Sequence, residues 1–178
     1  VAVIDIGTNT VRLLVADNGP GGHSVRDEFG EVTSLGAGLI RTGRIGPDDI
    51  LASESCLIEA VRRARAAGAE ILDVVGTEVF RRASNGLEVV RALSNRVGCP
   101  IQVLSAEEEG DASYLGAVAW PVPAAEGAMA VLDVGGGSTE LIRGVGTVRK
   151  TSRSLPFGAL VVTDRWLAHD PPGRAAAL

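Results

Sequence analysis

The chain has 178 residues, 46% apolar and 22% charged, close to the globular average, so a buried core is available and disorder is not indicated. Only 3% are aromatic, so that core must be built from Val, Leu, Ile and Ala. A net charge of −5 argues against general nucleic-acid binding, and two Cys and two His without ligand spacing disfavour a zinc site, a redox pair or a Ser-His-Asp triad.

Residues 1–17 read as two strands around the turn Asp5-Ile6-Gly7-Thr8-Asn9-Thr10, the second strand running from Val11 to Ala16. Asn18-Gly19-Pro20-Gly21-Gly22 is a loop signal, and a strand is expected near Ser24 to Thr33. Leu35 to Gly46 reads as a Gly-rich loop. Pro47 then opens a helix with Asp48 and Asp49 in its first turn, Ile50, Leu57, Val61 and Ala64 at helical spacing, and Gly68 at its end. Arg62, Arg63 and Arg65 fall on its polar side. A buried strand is expected over Ile71–Gly76, a helix from about Gly86 to Gly98, and a strand over Pro100–Leu104. Ser105 and Glu108 form a capping box that opens a helix to about Trp120.

Pro121 to Gly127 reads as a lobe boundary. After it come an apolar strand ending in Asp133, the turn Gly135-Gly136-Gly137-Ser138, a partner strand, a third strand near Thr147 to Arg153, and a helix from about Gly158 to His169. Alternating strands and helices, with antiparallel pairs opening each half, make the class α/β. No run approaches the roughly 18 apolar residues of a membrane span. No signal peptide is expected, and the opening on Val rather than Met suggests at least one preceding residue.

The strand–Asp–turn–strand unit occurs twice, at Asp5 and Asp133. Gly lets backbone N–H groups approach a phosphate without a Cβ in the way, and an Asp beside such a turn can hold a divalent cation against it. Two copies look like the halves of one phosphate cleft, with Asp5 and Asp133 both facing its floor. Phosphoryl transfer also needs a group that activates the nucleophile. Glu107, Glu108 and Glu109 offer three carboxylates at a helix start. The capping box uses Glu108 and leaves Glu107 in solvent. Glu109, beside Gly110, is then either a dipole-complementing acid or a catalytic one, and spacing alone leaves both open. Arg81 and Arg82 follow a buried strand end, where α/β proteins place ligand groups; each is a phosphate contact or a solvated helix face.

Taken in order, these segments resemble the exopolyphosphatase / guanosine pentaphosphate phosphohydrolase (Ppx/GppA) family. The residues that carry the likeness are Asp5 to Leu14, Gly76-Thr77, Phe80-Arg81, Ser105-Ala106-Glu107-Glu108-Glu109-Gly110 and Asp133 to Glu140. Leu155-Pro156-Phe157-Gly158-Ala159 and Asp170-Pro171-Pro172-Gly173 continue it. The resemblance implies an actin-like ATPase (ribonuclease H-like) fold with two lobes around a phosphate-binding cleft. The first lobe would be 1–120. The second would start at 121–178 and be incomplete in this chain, leaving apolar faces at Val131–Val134 and Leu160–Leu167 exposed. It also implies Mg²⁺- or Mn²⁺-assisted release of terminal phosphate from inorganic polyphosphate or guanosine pentaphosphate in the cytoplasm, by a protein that can form a homodimer. No nucleic-acid polymer and no membrane would be partners.

By position, Glu109 becomes the water-activating base, Asp5 and Asp133 the metal and phosphate carboxylates, and Glu140 a further active-site acid. Thr8, Asn9, Gly135, Gly136, Gly137 and Ser138 line the phosphates, and Arg81 contacts one. The chain departs from the family at Glu78 and Val79, where members often have a small residue. An actin-fold kinase or ATPase, or a non-catalytic binder of polyphosphate or guanosine polyphosphates, are the alternatives. A Glu rather than an Asp at position 109 speaks against a kinase base, and the intact acid set speaks against a mere binder.

Overall fold

A computed structural model describes residues 1–19, 22–119 and 127–167. The chain divides into two compact units, 1–103 and 104–178. The sequence reading put its division near 120. The Pro121–Gly127 boundary signal, the helix end at Trp120, His169 and Asp170-Pro171-Pro172-Gly173 lie outside the described residues, Gly127 excepted.

The first unit is a five-stranded sheet in the order β3-β2-β1-β4-β5. β1 (Ala2–Ile6), β2 (Thr10–Gly19) and β3 (Gly22–Val32) form an antiparallel meander, and β4 (Leu72–Gly76) and β5 (Gln102–Val103) add in parallel beside β1. Period-2 alternation sends Ala2, Ile4, Ile6, Val11, Leu13 and Val15 to one buried face. α2 (Pro47–Ala66) and α4 (Gly86–Val97) supply the opposing apolar stripe through Leu57, Ala60, Val61, Ala64, Val89 and Leu93. Val, Leu, Ile and Ala do build most of this core, as the low aromatic content requires.

Four local features differ from the sequence reading. The loop 35–46 contains a one-turn helix, α1 (Leu39–Thr42), bounded by Gly38 and Gly43, both at positive φ. Thr77 is followed by another short helix, α3 (Glu78–Arg82). The strand expected over 100–104 shrinks to two residues: Pro100 has no N–H, and the Ile101 N–H goes to the Ser94 hydroxyl of α4 at 3.2 Å. Arg63 is not plain surface: its guanidinium grips Asp27 of β3 through two nitrogens and lies 5.0 Å from the Phe29 ring centre.

The second unit holds α5 (Ala106–Ala119), an antiparallel meander β6 (Ala128–Val134), β7 (Thr139–Val145) and β8 (Val148–Leu155), and α6 (Ala159–Trp166). The capping box forms as read: the Ser105 N–H donates to Glu108 Oε2 at 2.8 Å, and the Glu108 N–H to Ser105 Oγ at 3.2 Å. α5 lies against the sheet. Tyr114 is fully buried, its hydroxyl donating to the Gly146 carbonyl at 2.9 Å. A side chain at Gly144 would meet that ring at 2.2 Å, so the helix seats only because position 144 has no Cβ. The opposite face carries Leu132, Val134, Leu141, Val145, Val148 and Leu155, all exposed. Exposed apolar surface was expected here; of the helix segment named with it, Val161 is buried and Trp166 exposed.

Candidate functional site

In the first unit, the Asp5 turn sits at the carboxyl end of β1. It is closed by the Gly7 N–H on the Thr10 carbonyl at 2.9 Å. Its far side is tied to the chain after β3. The Thr8 carbonyl accepts from the Gly36 N–H at 2.8 Å, and the Asn9 carbonyl accepts from the Thr33 and Ser34 N–H groups at 2.9 Å. Ser34 takes φ 51 to do so, and its hydroxyl reaches Asn9 Oδ1 at 3.3 Å. In a planar trans peptide N–H and C=O point oppositely. Anchoring the Thr8 carbonyl therefore turns the Asn9 N–H away from the Gly36 turn. A Cβ at Gly36 would lie 2.3 Å from Thr8 Cγ2, which explains the glycine there.

β4 ends level with this turn: Ile6 is the register partner of Gly76, and the Thr77 N–H donates to the Ile6 carbonyl at 3.2 Å. α3 follows. Arg81 is exposed on its last turn, while Arg82 folds back on Glu78, 3.3 Å from Oε1. Glu78, one of the two departures noted in the sequence, is buried, and its Oε2 has no hydrogen-bond partner. Asp5, Thr8, Asn9 and Arg81 thus all belong to the end of the sheet where β1 and β4 finish.

In the second unit, the Gly135–Ser138 turn is closed by the Gly135 N–H on the Ser138 carbonyl at 2.9 Å. The first N–H groups of α6 take up its carbonyls: Ala159 donates to Gly135 O and Leu160 to Gly136 O, each at 2.9 Å. Two orphan donors of a helix start are satisfied in this way. By the same planarity argument, the N–H groups of Gly136 and Gly137 are turned away from α6. They form an amide cradle of the kind that receives phosphate oxygens. Gly158 makes the approach feasible, since a Cβ there would lie 2.4 Å from the Gly135 carbonyl oxygen.

Two carboxylates flank the cradle. Asp133 and Glu140 are cross-strand register partners on the face that α5 covers. Glu140 is 2% exposed, with Ser154 Oγ donating to its Oε1 at 2.8 Å. Asp133 receives the Ser113 hydroxyl on Oδ2 at 2.6 Å.

The α5 acids separate by partner. Glu108 is occupied by the cap, whose Ser105 N–H and hydroxyl lower its pKa. Arg149 of β8 clamps Asp111 through two nitrogens and reaches Glu107 at 3.0 Å, which holds the Asp111 carboxyl below the usual aspartate range. Glu107 was expected in solvent; it stays exposed but is paired. Glu109 is half-buried, one helical turn before Ser113 and so on the same side of α5. Gly110 beside it makes room for Ser152 Oγ, which a Cβ would meet at 2.5 Å.

The predicted site residues therefore fall into two sets. Glu109, Asp133, Glu140 and Gly135 to Ser138 assemble in the second unit, and Asp5, Thr8, Asn9 and Arg81 in the first. Sequence reasoning missed Ser113, Ser154 and Arg149. Only Ser113 had a readable signal, its four-residue spacing from Glu109. Among the described residues, no group of three or more His, Cys, Asp or Glu could hold a metal. A hard cation here would depend on one or two carboxylates completed by phosphate oxygens and water, the usual manner of Mg²⁺. The all-oxygen set at Asp133 and Glu140 fits that mode.

Known proteins resemble this chain in sequence and fold. Residues 14–177 match the Ppx/GppA phosphatase family. Exopolyphosphatase 1 of Mycobacterium tuberculosis is 34% identical over 178 residues, covering 98% of this chain and 51% of that protein. The crystal structure of the Aquifex aeolicus Ppx/GppA family member superposes with TM-score 0.79 at 35% identity, covering 99% of this chain and 57% of that one. The ethanolamine utilization protein EutJ of Carboxydothermus hydrogenoformans, 15% identical with TM-score 0.56 over 99% of this chain and 59% of its own, shares the fold alone. The fold is the actin-like ATPase fold. This chain spans about half the length of the curated relatives it matches. With the turns, the acid set and the matched length in agreement, the chain belongs to the Ppx/GppA phosphatase family.

Proposed function

We propose that this chain carries catalytic machinery for releasing terminal phosphate from inorganic polyphosphate, with Glu109 as the general base. The observation that supports it best is the cluster of the second unit: an amide cradle at Gly136 and Gly137 beside Asp133 and Glu140, under the helix that carries Glu109. Glu109 would accept a proton from water at a carboxylate oxygen as the water oxygen bonds to the terminal phosphorus. The bridging oxygen then leaves with its electron pair on the shortened chain, and the proton passes on to solvent. The Gly136 and Gly137 N–H groups and the Ser138 hydroxyl hold the phosphoryl oxygens, and Thr8, Asn9 and Arg81 bind further phosphates of the chain. Mg²⁺ or Mn²⁺, for which Asp133 in the second unit and, separately, Asp5 in the first are the proposed ligands, would supply charge neutralisation at the phosphate oxygens.

Polyphosphate is put ahead of guanosine pentaphosphate because the named relative is an exopolyphosphatase. Glu109→Gln tests the reading. An amide keeps the shape but cannot take the proton, so phosphate release should fall about 10²–10⁴-fold with polyphosphate binding retained. Release is measured in parallel from polyphosphate, guanosine pentaphosphate and ATP. A variant within about threefold of the parent, a trivial barrier change, would leave Glu109 as a helix-start acid only.

A further inference from the structure

We infer that Ser113 is a positioning residue for cation binding at Asp133, fixing which carboxylate oxygen is turned outward and tying that choice to the helix that carries Glu109. The inference rests on the proposal that Asp133 is a metal ligand.

Three observations carry it. First, Ser113 Oγ donates to Asp133 Oδ2 at 2.6 Å, a short charge-assisted hydrogen bond. The last torsion of an aspartate is intrinsically broad, so a fixed carboxylate plane needs an external partner. Second, the hydroxyl is itself held in place. Tyr114, the next residue, is locked over Gly144 with its hydroxyl on Gly146; Gly110 sits against Ser152; and Arg149 grips Asp111. All three contacts fix α5 on the sheet within about one turn of Ser113. Third, the neighbouring acid has the same device from another element, since Ser154 of β8 donates to Glu140 Oε1 at 2.8 Å. Each of the two cross-strand carboxylates thus has one oxygen engaged by a serine hydroxyl.

Mg²⁺ demands near-ideal octahedral geometry, whereas Ca²⁺ tolerates irregular sites. A donor that orients the ligand oxygen should therefore matter to Mg²⁺ and Mn²⁺ more than to Ca²⁺.

Binding is measured without turnover, by electron paramagnetic resonance of Mn²⁺ and by Mg²⁺ or Ca²⁺ competition, on the parent, Ser113→Ala, Ser113→Thr and Asp133→Ala. Ala is a good helix former at this half-exposed position, so Ser113→Ala should keep the fold, checked by circular dichroism. Loss of a partner that orients a ligand typically costs about 10–100-fold in metal affinity. The expected result is that Asp133→Ala loses Mn²⁺, and that Ser113→Ala binds Mn²⁺ and Mg²⁺ about 10–100-fold more weakly with Ca²⁺ changed by less than about threefold. Ser113→Thr, which keeps the hydroxyl, should stay near the parent. If Ser113→Ala binds as the parent does while Asp133→Ala has lost the ion, the Ser113 inference falls and the metal role of Asp133 stands. If Asp133→Ala also binds as the parent does, the metal role falls and takes the inference with it. A Ser113→Thr variant as weak as Ser113→Ala would show that the hydroxyl is not the cause, which equally overturns it.

Discussion

Gly158→Ala is the most direct probe of how the Gly135–Ser138 turn is built. Gly158 has φ −148 and ψ −172, extended backbone open to any residue, so a substitution there meets no backbone strain. The added Cβ would instead lie 2.4 Å from Gly135 O, 2.7 Å from Gly136 C and 2.8 Å from Gly136 O, where ordinary contact begins at 3.4 Å. All three are backbone atoms, and none can swing aside as a side-chain tip would. The start of α6 and the turn must therefore part by about 0.6–1 Å. That separation strains the Ala159 and Leu160 hydrogen bonds to Gly135 and Gly136. Overpacking typically costs about 1–3 kcal/mol and each hydrogen bond about 0.5–1.5 kcal/mol. Because the same movement relieves one and weakens the other, they do not add in full, and a loss of about 2–4 kcal/mol is expected. Trp166 lies on α6 of the second unit, so urea unfolding followed by its fluorescence reports on that unit. Gly116→Ala on α5 is the control: nothing lies within 4 Å of its Cβ, and a helix-interior Gly→Ala change should stabilise by about 0.8–1 kcal/mol. Phosphate release should fall with Gly158→Ala and not with Gly116→Ala. A Gly158→Ala protein within about 0.5 kcal/mol of the parent, with unchanged release, would refute the idea that α6 shapes the turn.

Chelation with EDTA should abolish phosphate release and added Mg²⁺ or Mn²⁺ restore it; unchanged rates in excess chelator would overturn the metal role. Asp27 and Asp111 are held below the ordinary aspartate value of 3.8, first by hydrogen bonds from Arg63 and Arg149. Depressed folded-state values mean that their contribution is present above the unfolded pKa and lost as pH falls through and below about 3.8. Asp27→Asn should accordingly flatten the acid limb of first-unit stability in a pH series of unfolding curves, and an unaltered limb would count against the Arg63 contact. Burial pushes the Cys56 thiol up to about 11. At pH 8 its thiolate fraction is then about a thousandth, so in a Cys99→Ser background it should label slowly with a disulfide reagent until urea opens the first unit; prompt labelling of Cys56 in that native protein would contradict its burial.

The sequence determined most of the elements and the family. Period-2 apolar alternation fixed the faces of β1 and β2, Pro47 and Gly98 marked a helix start and a helix end, and Ser105 with Glu108 specified the cap down to its two hydrogen bonds. Such features are local, written within a few residues, and a linear reading reaches them. The short order of motifs from Asp5 to Glu140 likewise identified the family before any coordinate was known. What only the tertiary structure decided lies between residues far apart in the chain. Glu107 and Asp111 look like solvated members of one acidic run, yet both meet Arg149, 42 and 38 positions away. Ser113 finds Asp133 across 20 positions, and the amides of α6 find carbonyls of a turn more than twenty residues earlier. Glu78 stands out in the sequence only as a departure from the family pattern, and it is buried. The Ser154 hydroxyl on Glu140 and the Arg149 guanidinium on Asp111 carry no periodic signal. Their positions are set by sheet register and by which glycines let a helix come close, and register and close approach exist only once the chain has folded.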